Sequence, residues 1–465
     1  MIGIMTRKPG RLMRFLKGLA AAVILLVILF VVIAGPWPID RTQPGEAAWF
    51  KTSLESVGRT LAERTEVAGI RVGIAAIPLE LPKGLPLAGY GARKGAASTG
   101  THDPIRAKAI AFSAGDRTGV IAGADILLIN EALASSVAQR VSSRLGRDQI
   151  YFMATHTHSG PGGWGNWWAE NLVAGAPSSE GMSVLAEGMA SAIEAALANL
   201  EVATLSYGKA VVPEHIRNRL LGADSPVDPS LQVVKITGRG GKSLGALVSY
   251  AAHPTVLDDD NLLFSAEYPG VLERSLESLW GGTVVFCAGP VGSMSTKGGE
   301  GQGFDRIKSI GESLAAKAEA LAAGGGLKSI TGTFPFQFER VAIVSPPLQY
   351  CPTAKLRVSP ILSRFGFEFN RAVSISVLRI GPLLAVGVPC ELSGEIADAL
   401  YPFAAERGLH LILTPFNGHY QGYVVPDKYF PLDKYETRAM RFLGPHAGDY
   451  FERVLREIIE KEAAV

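Results

Sequence analysis

The chain is poor in the residues that would mark several large classes of protein. Three of its 465 residues are cysteine, Cys287, Cys351 and Cys390. They are too few and too scattered for a disulfide framework. One bridge is open to them, and the spacing does not choose the pair. No Asn-x-Ser/Thr sequon occurs, which favours a bacterial periplasmic face over a eukaryotic secretory route. Charge is sparse and balanced, 45 Lys+Arg against 43 Asp+Glu for a net +2. That excludes a protein held to nucleic acid by a strong basic field. No fixed-period repeat and no low-complexity segment is present. His-Glu-x-x-His, Walker and dinucleotide fingerprints are all missing. "GPVGSMS" lacks the Gly-x-Ser-x-Gly elbow of a serine hydrolase.

Long apolar runs are rare too, with one exception at the N-terminus. "GLAAAVILLVILFVVIA", Gly18 to Ala34, carries no charge and matches the shortest transmembrane helices in length. Arg7, Lys8, Arg11, Arg14 and Lys17 all precede it, so the positive-inside rule keeps the N-terminus cytoplasmic and the rest outside. A cleaved signal peptide is the competing reading, with Val32 and Ala34 at the −3 and −1 positions. The run exceeds a usual signal core, and "GPWP" with Trp37 suits an interfacial anchor. The expected organisation is a basic cytoplasmic N-terminus (1–17), a transmembrane anchor (18–36), a tether and helix (37–69) and one large domain (70–465). The expected location is a bacterial inner membrane with the domain on the periplasmic face. A transporter is disfavoured by the single apolar segment.

Beyond residue 69 strand-like runs such as "IRVGIAAI", "TGVIAGADILLI" and "LLAVGVPCE" alternate with helical patterns such as "NEALASSVAQRVSSRLG". This alternation predicts an α/β fold, a mixed central sheet flanked by helices. In such sheets ligands bind beyond the carboxyl ends of strands. Three runs end on a possible metal ligand. "IYFMAT" ends at His156, with His158 two residues on; "GALVSYAA" ends at His253; "LLAVGVPC" ends at Glu391. Two histidines and a carboxylate leave room for water on a hydrolytic zinc ion. If the segment is extended, His156 and His158 share a face. Each residue has a plainer explanation: a structural histidine after a strand, or an acid at a helix N-terminus. Gly160, Gly162 and Gly163 then permit a sharp turn, and Trp164, Trp167 and Trp168 could line an acyl-chain entrance or pack under the loop.

"THTHSGPGG" resembles the signature of the neutral/alkaline non-lysosomal ceramidase family of zinc amidases. "THDPIRAKAIAF", "RNRLLGADSPVDPSLQVVKI", "SYAAHPTVL", "VPCELSGEIADAL", "YQGYVVPDKYFPLDKYETRAM" and "FLGPH" follow the family's order over roughly residues 70–450. The resemblance covers the catalytic domain and not the C-terminal immunoglobulin-like domain of well-studied members. It implies Zn²⁺ held by His156, His253, Glu391 and Tyr423, the last not reachable from spacing. It implies catalytic roles for His158, Arg219, Tyr435 and Ser295. The family's Gly-Asp-x-Ser-Pro segment departs here at Ser293 and Thr296, and its Asn-Arg-Ser-Pro motif at Leu220 and Leu221. The resemblance therefore implies a membrane-anchored zinc hydrolase of a lipid-like N-acyl amide, with ceramide as the first substrate. The alternatives are a zinc amidase or esterase for another lipid or cell-envelope compound, and a non-catalytic exported binding protein of the same fold.

Overall fold

Most strand-like runs form strands, and they form two large sheets rather than one, with short two-stranded pairs beside them. The computed structural model describes residues 10–166, 168–222, 224–366 and 369–463. The larger sheet runs, edge to edge, through Thr283–Ala288, Ser243–Tyr250, Ser230–Gly238, Glu201–Val211, Ile70–Pro78, Arg106–Ala114, Arg117–Ala124 and Ile150–Ala154. The smaller runs through Thr65–Val67, Phe334–Val344, Ala372–Ile380, Leu383–Gly387 and His410–Thr414.

The sheets lie face to face. Ile74, Phe112, Ile121, Tyr151 and Leu205 of the first share one apolar cluster with Phe336, Leu378, Ala385 and Ile412 of the second. This explains why these strands are apolar on both faces: one face meets the other sheet and the opposite face meets helices. Glu131–Arg140 and Ser179–Ala198 cover one half of the larger sheet, and Glu267–Trp280 and Gly303–Ala323 the other. Ala48–Thr60, Gly394–Ala405 and Ala447–Ala463 cover the smaller sheet. The result is four layers, helix–sheet–sheet–helix. The stretch 37–69 holds the helix Ala48–Thr60, whose Phe50 and Val57 are buried on the smaller sheet, and the strand Thr65–Val67.

Three parallel pairs set the functional end. Arg117–Ala124 pairs parallel with Ile150–Ala154, Ser243–Tyr250 with Thr283–Ala288, and Leu383–Gly387 with His410–Thr414. Each parallel pair needs a helical crossover, and each sends the chain out at the carboxyl end of a strand. Gly387 keeps the two sheets close there; a Cβ on it would come 2.9 Å from the Tyr151 ring. Behind this end, buried Lys108 donates to Asp125 at 2.6 Å and to Glu273 at 2.6 Å. It ties the sheet to the helix Glu267–Trp280 and is paired on both sides, as a buried ammonium must be.

The N-terminal helix runs Arg11–Ile33 and buries none of its residues. It begins earlier than the apolar run and takes in Arg11, Arg14 and Lys17. It is long and apolar enough to cross a membrane, a property shared by anchors and signal sequences. Cys287, Cys351 and Cys390 are free and buried, so the open possibility of a bridge is not realised.

Candidate metal centre

The loops leaving the three parallel units converge. His156 follows Ile150–Ala154, His253 follows Ser243–Tyr250, and Glu391 follows Leu383–Gly387. Each side chain is fixed from behind. The Nδ1 of His156 lies 2.7 Å from the Leu127 carbonyl. The Nδ1 of His253 lies 2.8 Å from the Val291 carbonyl and 2.9 Å from that of Met294. A carbonyl only accepts, so each Nδ1 carries the proton and each Nε2 presents a lone pair. The two Nε2 atoms face each other at 2.9 Å. Glu391 Oε2 lies 3.5 Å from the first and 3.3 Å from the second, and the Tyr423 hydroxyl is 3.4 Å from His253 Nε2.

Burial, then the Arg219 and His156 charges, push His253 down to about 3. Burial would raise Glu391, but the His156 and His253 imidazoles outweigh it and hold the carboxyl well below its ordinary range. Two imidazole Nε2 atoms and a carboxylate therefore converge on one point. Glu391 Oε2 is buried with no hydrogen-bond partner among the described residues. Opposed lone pairs and a lone carboxylate oxygen are a poor arrangement for a proton network. They suit a cation, and the donor set of two imidazoles, carboxylate and phenol suits zinc.

His158 stands beside this set. Its ring centroid is 5.1 Å from that of His156 and 5.7 Å from that of His253. His156, His158 and His253 also form a group whose nitrogens lie within 4.8 Å of one another. Among the described residues neither His158 nitrogen has a hydrogen-bond partner. Burial, then His156 and His253, lower its pKa well below the ordinary imidazole value. The expectation that His156 and His158 share a face of extended chain is corrected: His156 has φ +64°, so the pleat is broken between them. Gly89, at φ +119°, passes so close to His158 that a Cβ would meet its ring at 2.7 Å. Arg93 Nη1 donates to the His158 carbonyl at 2.6 Å.

Arg219 donates to the Tyr423 hydroxyl at 2.9 Å and pairs with Glu436 at 2.7 Å. Tyr435 is half exposed, its ring 5.7 Å from Tyr423. Ser295 lies on the short strand Met294–Thr296, paired with Ile216–Asn218. Its hydroxyl accepts from Arg217 Nε at 2.9 Å, and it faces an adjoining cavity instead of the imidazoles. The structure thus gathers His156, His158, His253, Glu391 and Tyr423, adds Arg219 and Tyr435 through Tyr423, and sets Ser295 one residue aside. The family departure at Ser293 has a local partner: its hydroxyl donates to Glu395 at 2.6 Å. Trp164 is fully buried and donates to the Pro161 carbonyl, so it packs under the loop and does not line an entrance. Trp167 and the Trp168 side chain lie outside the described residues.

Three participants were missed by sequence reasoning. The Tyr420 hydroxyl donates to Glu391 Oε1 at 2.6 Å. Phe416 stacks on His156, centroids 4.3 Å apart. Tyr90 leans on His158 at 4.9 Å. Backbone strain gathers here as well. The described non-glycine residues with positive φ are Lys94, His156, Glu267 and Phe416. His156 and Phe416 are in the site, Lys94 follows Arg93, and Glu267 accepts from Val256 NH, three residues past His253. Such clustering is common at functional sites.

Together these features define an α/β sandwich with a candidate metal centre at its strand ends. Residues 82–289 match the sequence model of the neutral/alkaline non-lysosomal ceramidase N-terminal region. It is similar to the neutral ceramidase of Pseudomonas aeruginosa, 26% identical over 67% of this chain and 47% of that protein. It is also similar to the neutral ceramidase of Mycobacterium tuberculosis, 25% identical over 42% of this chain and 33% of that one. The chain thus spans about half or less of the length of these relatives. The crystal structure of the Pseudomonas aeruginosa enzyme matches with a TM-score of 0.72 at 20% identity, covering 85% of this chain and 75% of that one. A ceramidase complexed with C2 matches at 0.71 and 19%, covering 84% and 75%. These two establish the shared fold.

Proposed function

We propose that the protein is a zinc-dependent hydrolase of the amide bond of an N-acyl lipid, ceramide-like, anchored in the membrane by its N-terminal helix with the remaining domain outside the cytoplasm. The observation that carries the reading is the pair of Nε2 atoms facing each other 2.9 Å apart beside a Glu391 oxygen without a hydrogen-bond partner among the described residues. His156, His253, Glu391 and Tyr423 would hold the ion. Bound Zn²⁺ supplies Lewis acidity, which brings the pKa of a water towards neutrality.

The chain's own residues do the rest. His158, neutral and with both nitrogens free, takes a proton from the attacking water and delivers it to the leaving amine. Its Nδ1 and Nε2 can act in turn, because neither is committed to a structural hydrogen bond. Arg219, held by Glu436, aims its guanidinium past Tyr423 towards the centre, where it stabilises the developing oxyanion or grips a substrate hydroxyl. Tyr435 offers a phenol at the mouth. Phe416, stacked on His156, helps keep that imidazole dry, which strengthens these interactions.

Metal analysis of protein purified without chelator, in parallel with turnover of a panel of N-acyl lipids, tests the reading. About one zinc per chain and chelator-sensitive amide cleavage are expected. A metal-free protein that cleaves these amides, or a zinc-loaded one that cleaves none, overturns it.

A further inference from the structure

One cavity next to the centre is chemically unlike it. It has a volume of 340 Å³ and is lined by Arg217, Lys297, Arg306, Thr255, Ser295 and Asp258, among others. That volume is at the small end of ligand pockets, about 300–1,000 Å³. Three cations face one carboxylate. Arg217 Nε is spent on the Ser295 hydroxyl and Arg306 Nε on the Gly298 carbonyl. Among the described residues none of the three cations forms an ion pair. Lys108, Arg106 and Arg219, by contrast, are each paired. Like charges gathered around a concave, partly desolvated space repel one another unless an anion enters.

The cavity is also joined to the centre by the backbone. Met294 gives its carbonyl to His253 Nδ1, and the next residue, Ser295, lines the cavity. Thr255, two residues past His253, lines the cavity as well, so the cavity neighbours the centre on two segments, and a substrate held at the centre would have its far end to place there. That far end cannot be the acyl chain, because apolar carbons would strip water from three guanidinium and ammonium groups without replacing its hydrogen bonds.

We infer that this cavity binds an anionic group on the amine portion of the substrate: a carboxylate, sulfonate or phosphate, with Lys297 and Arg306 as its principal charge partners. The substrate class narrows from neutral N-acyl lipids to N-acyl amides with an anionic head. The inference rests on the hydrolase reading for the amide, but not for the anion site.

The test uses the full-length chain in detergent with two substrates sharing one acyl chain, N-lauroylglycine and N-lauroylethanolamine. N-Lauroylglycine should have the higher kcat/KM. Lys297→Gln and Arg306→Gln should each lower the ratio of the two kcat/KM values about tenfold, mainly through KM. Lys297→Arg and Arg306→Lys should keep most of the ratio, and unchanged thermal melts would show that the variants fold. Preference for the neutral substrate, or a ratio unmoved by both glutamine variants, overturns the inference. Calorimetric titration separates the two readings. If neither amide is cleaved but N-lauroylglycine binds with an affinity that both variants weaken, the hydrolase reading fails and the anion site stands. If inorganic phosphate binds with that sensitivity while the two amides bind alike, the cavity is a free-anion site and the head-group assignment is wrong.

Discussion

The short strand Met294–Thr296 has two sides, and they follow opposite rules. On one side the Met294 carbonyl helps fix His253 in a dry cluster where acceptors outnumber donors. On the other, Ser295 opens onto a cavity where donors outnumber acceptors. On the readings proposed above, the first side would select a cation by offering it lone pairs and the second an anion by offering it charge. A residue's role at this site therefore depends on which way it faces from one strand, not on its distance in sequence from the histidines.

The sharpest way to break this contrast is to remove the acceptors. His156→Ala or His253→Ala should lose the metal and with it all amide cleavage while largely keeping the fold. Full zinc occupancy by elemental analysis in both would end the assignment. Next comes the residue on the border. His158→Ala should keep the metal and lower kcat by roughly two to four orders of magnitude, and His158→Gln should be nearly as slow. Because the three histidines lie within 4.8 Å of one another, metal loss in His158→Ala would instead make it a ligand.

Smaller effects sharpen the contrast. Tyr420→Phe deletes the hydroxyl that orients Glu391 and should weaken metal binding about 10–100-fold, read by competition with a chelator. Ser295→Ala, on the other side, should leave metal affinity unchanged and move KM more than kcat. An effect on stability and not on the site concerns Glu267, whose carboxyl is pushed up to about 8, mainly by burial. Its folded pKa exceeds its unfolded one, so its contribution to stability is present below about 4.5 and is lost as pH rises through about 8. Over that window Glu267 steepens the fall of unfolding free energy by up to about 1.4 kcal/mol per pH unit. Denaturant titrations at several pH values should show a flatter profile in Glu267→Gln; an identical profile would mean that Glu267 is ionised throughout.

Much of this was legible in the sequence. Strand ends carrying His156, His253 and Glu391 follow from apolar periodicity and the rule that open sheets bind at their carboxyl ends. The stacking of two sheets was not legible, because a strand buried on both faces reads the same whether helices or another sheet cover it. Tyr423 was reached through family resemblance alone. Tyr420 and Phe416 were missed because nothing about a loop aromatic announces which ring or carboxylate it will touch. The unpaired state of Lys297 and Arg306 is a fact about space, since "STKGGEGQGFDR" carries acids enough to neutralise both. The tryptophan loop left two readings open, an entrance lining or packing under the loop, and Trp164 takes the second.

The left-handed backbone of His156 has a consequence for the free energy of the whole chain. A side chain at φ +64° costs about 1–2 kcal/mol that glycine would not incur. At most buried positions alanine is the milder truncation and glycine the harsher. Here the order should invert, with His156→Gly melting above His156→Ala, since both leave the same space beside Phe416 and only one keeps the strained Cβ. A chain that holds histidine here is less stable than its own backbone allows. That deficit marks a position where selection has favoured something other than folding.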